Sequence, residues 1–384
     1  SGCPTPSTPL LGINADVVNM VGHPLCPDVT AAQTQAVASH LRSISSGRFG
    51  TSSGALPPQE AGEARAVLRS LFLESGEVTE AFAKTFHLGT LLMSDKRPSP
   101  DLPSPREAIW AVYVWCRRTD EIVDAVRAAG DRSMTDELAE WSVRLERLFG
   151  EGEAVDALDL PLLAAVVAYP GLDVGPFRDM IKGMLMDVPG LGQSRYDTFE
   201  DLEVYCYRVA GTVGVMSVPI FGVEEGRTVE EAMEPALSLG VAFQLTNILR
   251  DVGEDASPSR DRIYFPRSTL AMFGVPEQDI IDRRVTPAYR RAVAHEVARA
   301  REYYKRARRG VFMLSPESRL PVQASLDCYS KILDKIEENG YDNLNMRAYV
   351  GKAEKAGIVV GGSWYRAMDV SRDLPLWGEE KVVM

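Results

Sequence analysis

Residues 109–124 read Ile109-Trp110-Ala111-Val112-Tyr113-Val114-Trp115-Cys116-Arg117-Arg118-Thr119-Asp120-Glu121-Ile122-Val123-Asp124. The first eight are apolar, so as a helix they have no polar face and belong in a protein interior. The next eight carry charge into that interior. At 3.6 residues per turn Asp120 and Asp124 stand one turn apart on one face, with Arg117 one turn earlier. Like charges at this spacing repel by roughly 0.2–0.5 kcal/mol in water and by far more once desolvated. The pattern predicts a cation between the two acids.

A second stretch repeats the design. Leu237, Leu239, Val241, Ala242, Phe243 and Leu245 form another buried pattern, and Gln244, Asn247, Asp251 and Asp255 follow at intervals of three, four and four along one helix face. Hard oxygen ligands with no His or Cys nearby select Mg²⁺, with Mn²⁺ as a substitute, over zinc. Mg²⁺ takes few carboxylates and completes its octahedron with water and phosphate oxygens, so the implied ligand is a diphosphate. One such cluster is equally the mark of a wet helix face on which each acid pairs with a neighbouring arginine; two of matching design argue for the metal. Arg250, Arg262 and Tyr264 accompany the second cluster. A guanidinium fork suits phosphate oxygens, although Arg250 is also placed to be a plain partner of Asp251. A third signal is Tyr205-Cys206-Tyr207-Arg208-Val209-Ala210-Gly211-Thr212-Val213-Gly214. Glycine inside a helix costs about 1 kcal/mol relative to alanine. Gly211 and Gly214 therefore signal either the close approach of a second helix or room made for a long ligand chain.

Outward from these motifs the pattern stays helical. Apolar periodicity predicts helices at 61–75, 77–93, 105–128, 135–148, 159–169, 175–187, 198–221, 228–253, 287–313 and 317–338, with no strand alternation. The expected fold is all-α, a single helical bundle around a central cavity. Residues 1–60, rich in Gly, Pro and Ser, read as a loop-rich N-terminal extension with one short helix near Ala31 to Ser43, residues 61–352 as the helical domain, and 353–384 as a C-terminal tail. The tail holds Trp364, Tyr365, Leu374 and Trp377, which either pack on the bundle or touch a membrane surface. A chain of 384 residues with 45% hydrophobic and 25% charged residues is able to bury a large core. A formal net charge of −12 argues against nucleic acid as a partner. The five cysteines, Cys3, Cys26, Cys116, Cys206 and Cys328, form no CxxC pair and read as core thiols. No run of about 18 apolar residues appears. Because the chain begins at Ser1 rather than Met, a removed targeting peptide is expected.

Read together, Arg117 to Asp124, Tyr205 to Pro219 and Gln244 to Asp255 closely resemble the squalene and phytoene synthase family, in the wording of its plastid and cyanobacterial members. Lys84-Thr85-Phe86 with Leu88-Gly89-Thr90, Phe177 to Met180, Arg262 to Pro266 and Arg347 to Val350 extend the resemblance over roughly residues 63–352. Such long ordered motifs are far more specific than a bare DxxxD. The resemblance implies an isoprenoid-synthase-type bundle in which Asp120 and Asp124 hold Mg²⁺ on one side of the cavity, and Asn247, Asp251 and Asp255 on the other. It further implies that Lys84, Arg117, Arg250, Arg262, Tyr264, Tyr329 and Arg347 grip diphosphate. Thr85, Phe86, Tyr205 and Gly214 would line the substrate channel, and Gln244 would face the reacting centre. Some bacterial relatives carry a His two residues before the lysine, where this chain has Phe82, so a phosphate contact from that position is lost here.

The implied activity is that of a prenyltransferase: Mg²⁺-dependent head-to-head condensation of two geranylgeranyl diphosphates through prephytoene diphosphate to phytoene, the first committed step of carotenoid biosynthesis. No NADPH is called for. The resemblance also implies a plastid location, in the stroma or peripheral to a membrane, or the cytoplasm for a bacterial chain, with an upstream geranylgeranyl diphosphate synthase as a partner. Two alternatives are a squalene or dehydrosqualene synthase using farnesyl diphosphate and a non-catalytic organellar assembly factor of the same fold. The intact acidic clusters count against the latter.

Overall fold

The computed structural model describes residues 29–50, 57–124 and 133–368. Among them every regular element is helical, apart from two isolated bridges, Arg195 with Ile263 and Val223 with Leu314. Sixteen α-helices follow in order. The first seven are α1 (Ala31–Ile44), α2 (Pro58–Phe82), α3 (Lys84–Thr90), α4 (Pro105–Asp124), α5 (Met134–Glu151), α6 (Leu160–Ala168) and α7 (Val174–Asp187). Next come α8 (Phe199–Cys206), α9 (Thr212–Phe221), α10 (Val229–Asp255), α11 (Arg267–Phe273) and α12 (Glu277–Ile281). The chain closes with α13 (Pro287–Val311), α14 (Pro316–Glu338), α15 (Lys352–Ile358) and α16 (Trp364–Met368).

The central element is α10, which packs against α9, α13 and α14. Its start is fixed locally: the Thr228 hydroxyl accepts from the Glu231 N–H, and the Glu231 side chain returns the bond to the Thr228 N–H. This reciprocal cap satisfies two donors that a helix start leaves unpaired. Helix α13 begins with a one-way cap, the Thr286 hydroxyl accepting from the Tyr289 N–H, and with Pro287 at its first position. Between α8 and α9 the chain makes one π turn, Tyr207–Gly211, so the two run on as one bent rod. That rod, Phe199–Phe221, is long and apolar enough to cross a bilayer, but over half of its apolar window is buried inside the bundle, as in a core helix.

One expected helix boundary is corrected. The break between the first two predicted long helices falls at Ala83 (φ −139°, ψ 56°), not at Gly76. Gly76 stays inside α2 because the Trp110 indole packs directly on it, so the missing Cβ serves contact with α4 rather than a turn. The short helices α11, α12, α15 and α16 carry too few residues to show a period. Helix α1 lies within the stretch read as an extension, yet it buries Val37, Ala38 and Leu41 in the same core as α2 and α6. Its Arg42 also donates to the Gly152 carbonyl at the end of α5. Cys116, Cys206 and Cys328 are buried thiols; Cys3 and Cys26 lie outside the described residues. In the tail, Ile358, Ser363 and Ala367 are buried and Trp364 is half exposed; Leu374 and Trp377, and the Tyr365 side chain, lie outside the described residues.

Candidate active site

Helix α10 changes character between Phe243 and Gln244. From Ala232 to Phe243 its inner face lines an apolar cavity of about 970 Å³, shared with α3, α9, α13 and α14. From Gln244 to Asp255 it lines a polar cavity of about 530 Å³, shared with α4, α7, α8 and the segment after α10.

The polar cavity brings Asp120 and Asp124 of α4 opposite Gln244, Asn247, Asp251 and Asp255 of α10, with Tyr205, Arg262 and Tyr264 completing the wall. The two acidic faces thus meet across one hollow. Each cluster keeps cations at hand. Arg117, itself buried under the Phe82 ring at 5.0 Å, donates to Asp120 Oδ2 at 3.1 Å. Arg250 forks onto both oxygens of Asp251, Nε to Oδ1 at 2.9 Å and Nη2 to Oδ2 at 2.5 Å, and Arg347 Nε adds a 2.8 Å bond to Oδ1.

Burial sets the electrostatics. It pushes the Asp120 carboxyl well above the usual range, and the Asp124 charge adds to the rise. Asp255 goes up to about 7 by burial and by the Asp251 charge, despite Arg260 Nη1 at 3.1 Å. Burial acts on Asp251 too, but there Arg250 and Arg347 outweigh it and hold the carboxyl below its ordinary value. One acid of each facing row therefore resists ionisation, which is what a site built to receive positive charge looks like.

The cavity offers carboxylate and amide oxygens and neither His nor Cys, and the buried Gln244 Oε1 has no hydrogen-bond partner. Among the described residues no group of three or more His, Cys, Asp or Glu forms a ready-made metal cage. A hard oxygen-seeking ion that brings phosphate as its remaining ligands fits this set.

Other residues named from the sequence fall as follows. Phe86 lines the apolar cavity and packs on Tyr113 at 5.6 Å between ring centroids. Gly214 answers both readings of its glycine: a Cβ there would stand 2.2 Å from the Ala236 carbonyl oxygen, and the residue lines the apolar cavity. Tyr329 is buried with its ring 4.4 Å from Phe243. Lys84 is exposed at the start of α3 and lines neither cavity. The Thr85 side chain lies outside the described residues.

Two site residues, Asp187 and Arg260, leave no pattern in the sequence. Asp187 at the end of α7 accepts from the Tyr205 hydroxyl at 2.9 Å and pairs with Arg262 at 3.4 Å. Burial, offset in part by Arg262 and Tyr205, pushes its carboxyl up to about 6. Arg260 reaches the cavity from a loop with no periodicity.

A family model described as squalene/phytoene synthase matches residues 81–354. Phytoene synthase 1, chloroplastic, of Arabidopsis thaliana is 50% identical over 282 residues, 73% of this chain and 63% of that protein. The 15-cis-phytoene synthase of Synechococcus elongatus is 48% identical over 301 residues, 76% of this chain and 92% of that protein. The chain thus spans less than two thirds of the plant relative but nearly all of the cyanobacterial one. Among solved structures, a dehydrosqualene synthase superposes with a TM-score of 0.65 at 24% identity, covering 78% of this chain and 97% of that one. A squalene synthase from Alicyclobacillus acidocaldarius gives 0.62 at 28% identity, covering 72% and 96%. The fold is that of these all-helical synthases.

Proposed function

The chain belongs to the squalene/phytoene synthase family, a family that works on prenyl diphosphates with divalent metal, and on that premise we propose that it joins two geranylgeranyl diphosphates head to head into phytoene. The observation that carries the reading is the switch along α10, where a wall suited to hydrocarbon becomes, within one turn, a wall suited to metal and phosphate. An amphipathic substrate with a long apolar tail and a diphosphate head matches both halves. Named relatives that are phytoene synthases favour the longer substrate over farnesyl diphosphate, and plastid or cyanobacterial cytoplasm as the setting.

Mg²⁺ is the proposed metal, held by Asp120 and Asp124 from one side and Asn247, Asp251 and Asp255 from the other. When bound it supplies charge that stabilises the departing diphosphate. The chain's own residues do the rest. Arg117, Arg250, Arg262 and Arg347, which pair with Asp120, Asp251, Asp187 and Asp251 respectively, would be the guanidinium groups that bind phosphate oxygens. Tyr205, Tyr264 and Phe86 line the cavities, and an aromatic face favours a nearby cation by roughly 0.5–2 kcal/mol. The apolar walls exclude water, which would quench an allylic cation. Gln244 stands at the junction, its Oε1 open to the reacting groups. Lys84 and Tyr329 are kept as diphosphate contacts, and Thr85 and Gly214 as lining of the substrate channel.

The test is incubation of the purified protein with Mg²⁺ and either geranylgeranyl or farnesyl diphosphate, with and without NADPH. Phytoene from the longer substrate without reductant is expected. Product from farnesyl diphosphate alone would overturn the assignment.

A further inference from the structure

Helices α9 and α10 run antiparallel as two long walls of the apolar cavity. Two contacts fix their register: a Cβ on Gly240 would stand 2.2 Å from the Ala210 carbonyl oxygen, and one on Gly214 would stand 2.2 Å from that of Ala236. Continuing the register sets Val218 beside Ala232, at the end remote from the polar cavity. There the chain seals itself. The turn after α9 is bonded to the turn after α13, Ser315 N–H to the Gly222 carbonyl at 3.1 Å and Glu224 N–H to the Met313 carbonyl at 2.9 Å. Phe221 and Leu314, flanking that seam, line the cavity.

Helix α10 carries graduations along this depth. From the buried Gln244, with its unpartnered Oε1, Gly240, Ala236 and Ala232 follow at four-residue steps of about 6 Å, roughly 18 Å in all. All three line the cavity, and none has a side chain larger than a methyl group. We infer that Ala232, with Phe221 and Leu314 across from it, is the floor that sets prenyl chain length, and that the cavity is cut for four isoprene units rather than three. The inference rests on the prenyl diphosphate reaction proposed above. The unit bearing the diphosphate stays level with Gln244, and each further unit descends about one step, so three steps house three more units. A farnesyl tail leaves the last step empty. A void in an apolar cavity forfeits contacts that no water replaces.

The experiment offers the purified full chain, with Mg²⁺, equimolar farnesyl, geranylgeranyl and geranylfarnesyl diphosphates, and reads the hydrocarbon products by mass. Ala232→Phe fills the last step, and its preference is expected to swing at least tenfold in kcat/KM toward farnesyl diphosphate at an unchanged melting temperature. Phe221→Ala deepens the floor and is expected to admit geranylfarnesyl diphosphate. Should Ala232→Phe melt early, Phe221→Ala alone decides. Folded variants that keep the parent preference, or lose all three substrates alike, overturn the floor assignment while leaving the reaction intact. A parent protein that turns over none of the three overturns the reaction itself.

Discussion

Asp251 is 2% exposed and holds two guanidinium groups, so its charge matters to the fold as well as to the proposed site. Asp251→Asn is expected to leave Arg250 buried without a counter-charge, at a cost of roughly 3–5 kcal/mol. It is also expected to lower turnover by a factor on the order of 10² or more. Urea unfolding followed by circular dichroism checks the first, and product formation at low temperature, where the helical signal is retained, checks the second. Undiminished activity would remove Asp251 from the site. Away from the cavities, Glu74 on α2 is buried with an unpartnered Oε1, and burial aided by the Glu77 charge pushes its carboxyl up to about 7. The folded state therefore binds a proton that the unfolded chain releases near pH 4.3. Stability from this group is present at low pH and is lost as pH rises through the window from about 4 to 7. Glu74→Gln should abolish that loss: the urea midpoint of the parent is expected to fall between pH 5.5 and 8 by more than that of the variant. An equal fall in both would place the dependence elsewhere.

At the level of elements, the α9–α10 contact is held by absent side chains. Gly240 meets the Ala210 backbone so closely that even a methyl group forces the helices apart, and overpacking of this kind costs typically 1–3 kcal/mol. Gly240→Ala is expected to lower the melting temperature by several degrees, whereas Gly62→Ala, with open space around it on α2, is expected to raise it slightly. The glycines show how much the sequence could disclose. Gly211 and Gly214 stood out because a helix interior penalises glycine, but whether they served a neighbouring helix or a ligand depended on what lay opposite. That partner is α10, which arrives only after an intervening turn. Likewise Asp120, Asp124, Asn247, Asp251 and Asp255 were legible because a 3.6-residue period places them on faces continuous with buried ones. Asp187 and Arg260 were not, since each stands alone at a helix end or in a loop and joins the cavity only through tertiary folding.

For the whole molecule, the chain's late segments close over its earlier ones. Arg347 reaches Asp251 from beyond α14. Farther on, Ser363 donates to Asp327 Oδ2 at 2.7 Å and Arg366 Nε to the same oxygen at 3.2 Å, pinning α16 to the middle of α14. Asp327 is fully buried, so removing its guanidinium leaves a costly charge, by roughly 2–4 kcal/mol given the hydroxyl that remains. Arg366→Ala is expected to expose 352–368 to limited proteolysis while residues of the central bundle stay protected; equal protection of both would deny the clasp. Composition and periodicity announced an all-helical bundle, but not this closure, because ion pairs between distant segments leave no local pattern.

The single π turn at Tyr207–Gly211 governs which residues of the rod face inward to line the two cavities. Nine positions separate Tyr205 from Gly214, and in an unbroken α-helix, at about 100° per residue, they would look in opposite directions. The one extra residue in the wider coil takes back about 100° of rotation, and the phenol and the glycine come round to the same side. Excising Val209 or Ala210 from that coil would turn the downstream half of the rod like a misaligned screw thread, swinging Val213 and Gly214 off the lining without touching a single acid or arginine.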